Sequence, residues 1–181
     1  ADLIPASESV TFSPDGKFMA TNQKSDVRIF RIINNKPTPF TTLNNQSDDI
    51  ISLIFSPDGK FLASATHDTI IIYSIYDSNF ELVKTIGDYN NDITSVIFSP
   101  DCKFLASASE DNTVKIYSIS GSNFNLIKTL EYYSENVNPL CFSPDGKFLA
   151  LASTDFTVNI YYISDSNFKL IKSFEYYNNY R

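Results

Sequence analysis

His67 is the only histidine in the chain, and so the only side chain whose unperturbed charge changes near neutral pH. It stands in a polar run, Thr66-His67-Asp68-Thr69, with no second histidine and no cysteine beside it. A metal site needs three or four ligands, and a general base needs a positioned group to act on. Neither is at hand, so an ordinary surface histidine is the expectation. Ser64, Ser107 and Ser153 sit in small-residue runs without the GxSxG surround of a nucleophile elbow. One histidine cannot serve three of them, so packing and backbone bonding account for these serines. Asp58, Asp101 and Asp145 form a spaced acidic series, 43 and 44 residues apart. Paired-carboxylate chemistry needs the two groups within roughly 10 Å of each other, which this spacing does not suggest. Gly59 and Gly146 end turns, and no glycine-rich phosphate cradle is present. Cys102 and Cys141 form no CxxC and have no histidine pair, which suits two reduced thiols in a cytoplasmic protein. No catalytic residue, metal or cofactor is therefore expected.

Charge and hydropathy narrow the partners. The formal net charge is -7. Lys60, Lys103 and Lys147 recur once per repeat, each close behind an aspartate, as solvated turn residues rather than a basic stripe. Binding to nucleic acid, which relies on a basic surface that displaces counterions, is not expected. No apolar run approaches the roughly 20 residues of a membrane helix. The start, Ala1-Asp2-Leu3-Ile4-Pro5, has neither a basic segment nor a long apolar one, so it does not read as a signal peptide. It also lacks an initiating methionine. The sequon Asn45-Gln46-Ser47 reads as a chance match without a secretory signal.

The elements behind these residues are repeated. Phe12, Phe55 and Phe142 open the pentapeptide FSPDG, and Phe98 opens FSPDC, in steps of 43, 43 and 44 residues. An aromatic residue follows each after 18 or 19 positions: Phe30, Tyr73, Tyr117 and Tyr161. A fixed period of this size means one supersecondary unit per repeat. Within the third unit, Ile93–Phe98 is β-branched and apolar, Ser99–Cys102 is a turn, and Phe104–Ser109 is a second strand. Glu110-Asp111-Asn112 turns again, Thr113–Ile119 alternates as a third strand, and a fourth follows from Phe124 to Leu130. In the Ser-Pro-Asp-Gly turn, proline sets φ, aspartate bonds the backbone and glycine accepts positive φ. Cys102 replaces that glycine, and a left-handed backbone there carries about 1 kcal/mol of strain. Both faces of each meander are apolar, with Val96 and Phe98 on one side and Ile97 on the other. Each sheet must then lie between two neighbours, which radial stacking into an all-β propeller provides.

From Val10 to Phe174 the chain resembles the WD40 repeat family. The strand, SPDG turn, "LASAS", acidic turn and "TVKIY" follow one another in the family's order, four times. The resemblance implies four-stranded antiparallel blades, about 6–43, 50–86, 93–130 and 137–174, in one segment spanning 1–181. The family's Trp-Asp is replaced by Phe30-Arg31, Tyr73-Ser74, Tyr117-Ser118 and Tyr161-Tyr162. Its Gly-His becomes Gly87-Asp88, Glu131-Tyr132 and Glu175-Tyr176. The family's buried His, Ser or Thr, Asp and Trp network is accordingly expected to be incomplete. Asp68, Asp111 and Asp155 remain and are expected to bond backbone in their turns. The first repeat diverges most: its third and fourth strands read as Val27–Ile32 and about Phe40–Leu43, with Asn34 to Pro39 between them as a loop at an edge.

Four blades leave the closure open. An arc exposes an apolar face at each end. Further blades of a longer chain would cover them, which the repeat-like tail from Glu175 and the missing methionine favour. Two chains pairing into an eight-bladed ring, or a compact four-bladed ring, would also do so. The family resemblance places partner contacts on the rim where a fourth strand leads into the next first strand: Glu8, Asp49, Ile51, Asp92, Thr94, Asn136 and Asn138. This acidic, amide-rich group suits a basic or polar peptide. The expected function is a non-catalytic, intracellular scaffold for other proteins. The alternatives are an accessory domain supporting a catalytic domain elsewhere in a longer chain, and a propeller enzyme with a central cofactor. The inner strands offer serine and threonine where such a cofactor would need His, Asp or Arg.

Overall fold

The computed structural model describes residues 9–44, 48–87, 89, 91–131, 137–153 and 156–175. They form sixteen strands in four antiparallel sheets, and no helix occurs among them. Blade 1 comprises β1 (Val10–Phe12), β2 (Phe18–Gln23), β3 (Asp26–Ile33) and β4 (Lys36–Leu43). Blade 2 comprises β5 (Ser52–Phe55), β6 (Phe61–Ala65), β7 (Ile70–Tyr76) and β8 (Asn79–Ile86). Blade 3 comprises β9 (Ile93–Phe98), β10 (Phe104–Ser109), β11 (Thr113–Ser120) and β12 (Asn123–Glu131). Blade 4 comprises β13 (Val137–Phe142), β14 (Phe148–Ser153), β15 (Thr157–Ser164) and β16 (Asn167–Glu175). Spatial order follows chain order in every sheet, which is the expected meander.

The sheets stack face to face. The first strands neighbour one another in the order β1, β5, β9, β13. Blades 1 and 2 share a core through Ala20, Val27 and Ile29 on one side and Leu53, Leu62 and Tyr73 on the other. Blades 2 and 3 share Ala63, Ile70 and Ile72 with Val96, Leu105 and Tyr117. Blades 3 and 4 share Ala106, Val114 and Ile116 with Leu140, Leu149 and Tyr161. Among the described residues no such core joins blade 4 to blade 1. Alanines of the second strands are buried in blades 1 to 3, as are the third-strand aromatics Tyr73, Tyr117 and Tyr161, whereas Ala150 and Phe30 in the end blades are half-buried. A bulge sits before that aromatic in every blade, after Ile29, Ile72, Ile116 and Ile160. Such bulges increase twist, which stacking around an axis requires.

The serine–aspartate turns repeat in atomic detail. Ser13, Ser56, Ser99 and Ser143 donate through Oγ to the aspartate two residues on, at 2.6–2.7 Å. The same oxygens accept the backbone N–H of Phe18, Phe61, Phe104 and Phe148 at 2.9 Å. Thus the turn also fixes the first residue of the second strand. Gly16, Gly59 and Gly146 close it with φ of 69–72°, and Cys102 does so at 56°. The strain inferred for Cys102 is therefore real geometry. Cys102→Gly is expected to raise the free energy of unfolding by about 1 kcal/mol, read as a shift in urea midpoint at unchanged slope.

One element differs from its sequence expectation. Residues 36–39, read as loop, belong to β4, and Pro37 and Pro39 pair with Ile32 and Phe30. The cause is that β4 is the outermost strand of its sheet, where a missing N–H on the solvent side breaks no ladder bond.

Candidate interaction rim

Antiparallel meanders put alternate turns at opposite ends. The serine–aspartate turns and the turns between third and fourth strands occupy one rim. The turns between second and third strands and the links from one blade to the next occupy the other.

On this second rim the two links within the described residues, before β5 and before β9, are each tied to both blades they join. The Ile93 N–H donates to the His67 carbonyl of blade 2 at 2.7 Å, while the Asp92 carbonyl accepts from Glu110 N of blade 3 at 2.8 Å. Ser109 Oγ adds a bond to the Asn91 carbonyl at 3.0 Å. In the preceding link, Ile51 N donates to the Ala65 carbonyl at 2.8 Å, and Asn22 Nδ2 donates to the Ile50 carbonyl at 2.9 Å. Ile50 and Ile93 are fully buried beneath their links. Apolar anchors and paired backbone groups hold these links still, so their polar side chains are presented from a fixed frame.

The structure gathers acidic candidates around the lone histidine. His67 Nδ1 lies 2.9 Å from Asp92 Oδ1, with both side chains nearly half exposed. The Asp92 hydrogen bond, then its charge and those of Asp48 and Asp49, raise the His67 pKa above its ordinary 6.5. Asp49 and Ile51 are exposed on the first link, and Thr94 is half-buried at the start of β9. Glu8 and Asn136 lie outside the described residues, as do Asp155 and the sequon. Asn138 belongs to β13. Of the turn aspartates, Asp111 bonds backbone as expected, accepting from Thr113 N at 3.0 Å. Asp68 accepts from the Thr69 hydroxyl instead, at 2.8 Å.

The buried polar network is present in blade 3 with a different membership. Tyr89, from the link before β9, is 7% exposed and hydrogen-bonds through its hydroxyl to Ser107 Oγ and to the Tyr117 hydroxyl. Burial, reinforced by Tyr117, drives the Tyr89 pKa far above the ordinary phenol value, so it stays a neutral hydroxyl. The Lys115 ammonium caps its ring at 4.1 Å from the centroid. Absence of histidine and tryptophan implied an incomplete network; in blade 3 a tyrosine pair and Ser107 form a smaller cluster, while Asp111 bonds to Thr113 instead. The signal available in the sequence was an aromatic residue two positions after Gly87, close to where the resemblance expects histidine.

Four matched blades, each with its turn serine, and two described links each bonded to both neighbouring blades are the geometry of a repeat family. The family described as WD domain, G-beta repeat matches residues 37–74, 80–118 and 124–161, together more than half of the chain. The chain belongs to the WD40 repeat family. Comparison with curated proteins gives no match. Each matched WD40 repeat begins in the outermost strand of one blade, in β4, β8 or β12, and runs through the third strand of the next. Sequence repeats therefore lace adjacent blades together, and the rim links fall inside them. WD40 repeats generally mediate protein–protein interaction and are typically non-catalytic.

Proposed function

We propose that this WD40 chain is a non-catalytic scaffold of the cytoplasm that holds a basic or polar peptide segment of a partner protein on its link rim. The observation that carries the reading is the convergence of Asp48, Asp49 and Asp92 about His67, on links bonded to two blades each. A fixed acidic surface attracts a cationic partner without reorganising, and steers its approach. Exposed Ile51 beside Asp49 offers apolar contact for the stem of a lysine or arginine. Cys102 and Cys141 as free thiols suit a reducing compartment.

The test is fluorescence polarisation with a labelled lysine- and arginine-rich peptide. Asp49→Asn and Asp92→Asn are each expected to weaken binding about two- to fivefold, the size of an exposed charge contact. Asp77→Asn and Asp165→Asn, on the opposite rim, are expected to change nothing. Because the His67 pKa is raised, the imidazole gains its proton, as pH falls, earlier than an ordinary histidine does, and then offsets Asp92. Affinity is therefore expected to fall as the imidazole is protonated, and His67→Gln to remove the pH dependence. Normal binding by the Asp49 and Asp92 variants, with loss in the opposite-rim variants, would place the surface elsewhere.

A further inference from the structure

The three junctions between blades share a core plan but differ at their outer mouths. Between blades 2 and 3 a groove of about 390 Å³ opens on the perimeter, and both of its walls belong to inner blades. Its floor is Tyr117 and Phe124, both buried. One wall is the end of β8, with Lys84 and Gly87, and the other carries Lys115 and Leu126. Leu126 is 53% exposed, so an apolar side chain stands open to water at the mouth. No carboxylate is among the described residues that line the groove. Lys84 is exposed and forms no ion pair among the described residues. The Lys115 ammonium is placed by its contact with the Tyr89 ring.

Cross-strand register identifies the equivalent positions at the other two junctions. Lys84, opposite Ile72, corresponds to Thr41 opposite Ile29 and to Lys128 opposite Ile116. Lys115, opposite Thr129, corresponds to Ile71 opposite Thr85 and to Asn159 opposite Ser173. Gly87 follows Ile86, as Asn44 follows Leu43 and Glu131 follows Leu130. The first junction therefore has no lysine at either wall position. The third has one, with Glu131 three residues along the same wall. The middle junction alone of the three carries a cation at both positions, and at Gly87 it has no side chain. A Cβ placed on Gly87 would meet no atom within 4 Å, so the space beside it is open.

We infer that this groove binds an extended peptide segment of a partner protein that carries an aspartate or glutamate beside an apolar residue. Lys84 and Lys115 meet the carboxylate, a charge preference opposite to that of the acidic link rim. The apolar neighbour covers Leu126 and removes its exposed area from water. The volume lies near the lower end of the roughly 300–1,000 Å³ of ligand sites, which suits a short segment. Its extended form follows from β8, the outermost strand of its sheet, whose outer edge has no strand partner among the described residues. Such an edge accepts an added strand through main-chain hydrogen bonds. Every blade has that edge, so it sets the form of the ligand, whereas the two lysines set its place. The groove does not depend on peptide binding at the link rim, which takes the opposite charge and is read with a different peptide.

Selection of random seven-residue peptides on the immobilised chain tests this, followed by fluorescence polarisation of the enriched sequences, with circular dichroism verifying that each variant is folded. Sequences with an acidic residue next to an apolar one are expected to be enriched. Lys84→Glu is expected to weaken them about tenfold, because a reversed charge loses an attraction and adds a repulsion. Gly87→Glu, which fills open space without a clash, is expected to do the same. Leu126→Ser is expected to weaken them about threefold. Thr41→Glu adds the same charge at the matching position of the first junction and is expected to change nothing. Millimolar inorganic phosphate is expected not to displace the peptides. Absence of acidic and apolar sequences from the enriched set, normal binding by the Lys84 and Gly87 variants, equal loss in Thr41→Glu, or full displacement by phosphate would overturn the inference.

Discussion

Phe61→Ala is expected to lower the free energy of unfolding by about 3–5 kcal/mol, the range for truncating a buried aromatic residue. Phe61 is 7% exposed and lies in the core between blades 2 and 3. Its ring meets Phe124 edge-on, with centroids 5.3 Å apart and planes at 83°. Truncation removes apolar area and leaves a void that two rigid sheets cannot close. Sheets held by their own ladders have little freedom to collapse, so the loss belongs in the upper part of the range. Urea denaturation with an unchanged slope would show that stability alone has moved. The same substitution at Phe40, 41% exposed on the outermost strand, is expected to cost far less.

Ser99→Ala is expected to cost about 2 kcal/mol, although it removes a single oxygen. Ser99 is fully buried. Its Oγ donates to Asp101 at 2.7 Å and accepts from Phe104 N at 2.9 Å. Alanine leaves a buried N–H without its acceptor, and an orphaned buried donor costs about 1–3 kcal/mol. Ser143→Ala is expected to lose less, because that turn is more open to water. The effect also depends on pH. Burial raises the Asp101 pKa, but bonds from Ser99 and the Lys103 backbone outweigh it, so the value stands below the usual carboxylate range. A carboxylate depressed in the folded state contributes stability above its unfolded pKa of about 4, and that contribution disappears as pH falls through the folded value. Asp15, Asp58 and Asp145 are depressed too, and Asp15, held chiefly by Ser13, lies at about 2. Acid is therefore expected to destabilise the wild type progressively below pH 4, and Ser99→Ala to show a shallower loss.

Legibility differed by physical origin. Strand order and the turns were readable because period, turn chemistry and β-branched runs are local properties repeated four times. Cys102 shows the strength of that reading: a glycine position in three copies specified positive φ in the fourth, and the backbone has it. The strand character of residues 36–39 was not readable, since proline is a breaker unless the strand lies at a sheet edge. Only the assembled order of strands supplies that fact. The Tyr89, Ser107 and Tyr117 cluster was hidden for a similar reason. Its members are 18 and 10 residues apart in sequence and meet only after β9 to β11 pair. The ion pair of His67 with Asp92 bridges two blades, so no local pattern announces it.

A double-mutant cycle on Phe61 and Phe124 tests most directly whether neighbouring blades hold each other up. The residues are 63 positions apart in sequence and belong to separate sheets, so only face-to-face stacking can couple them. The predicted coupling, from urea denaturation of the wild type, both single alanine variants and the double variant, is about 0.5–1.5 kcal/mol. Additive effects, with no coupling beyond experimental error, would contradict the stacked-blade architecture on which everything above rests.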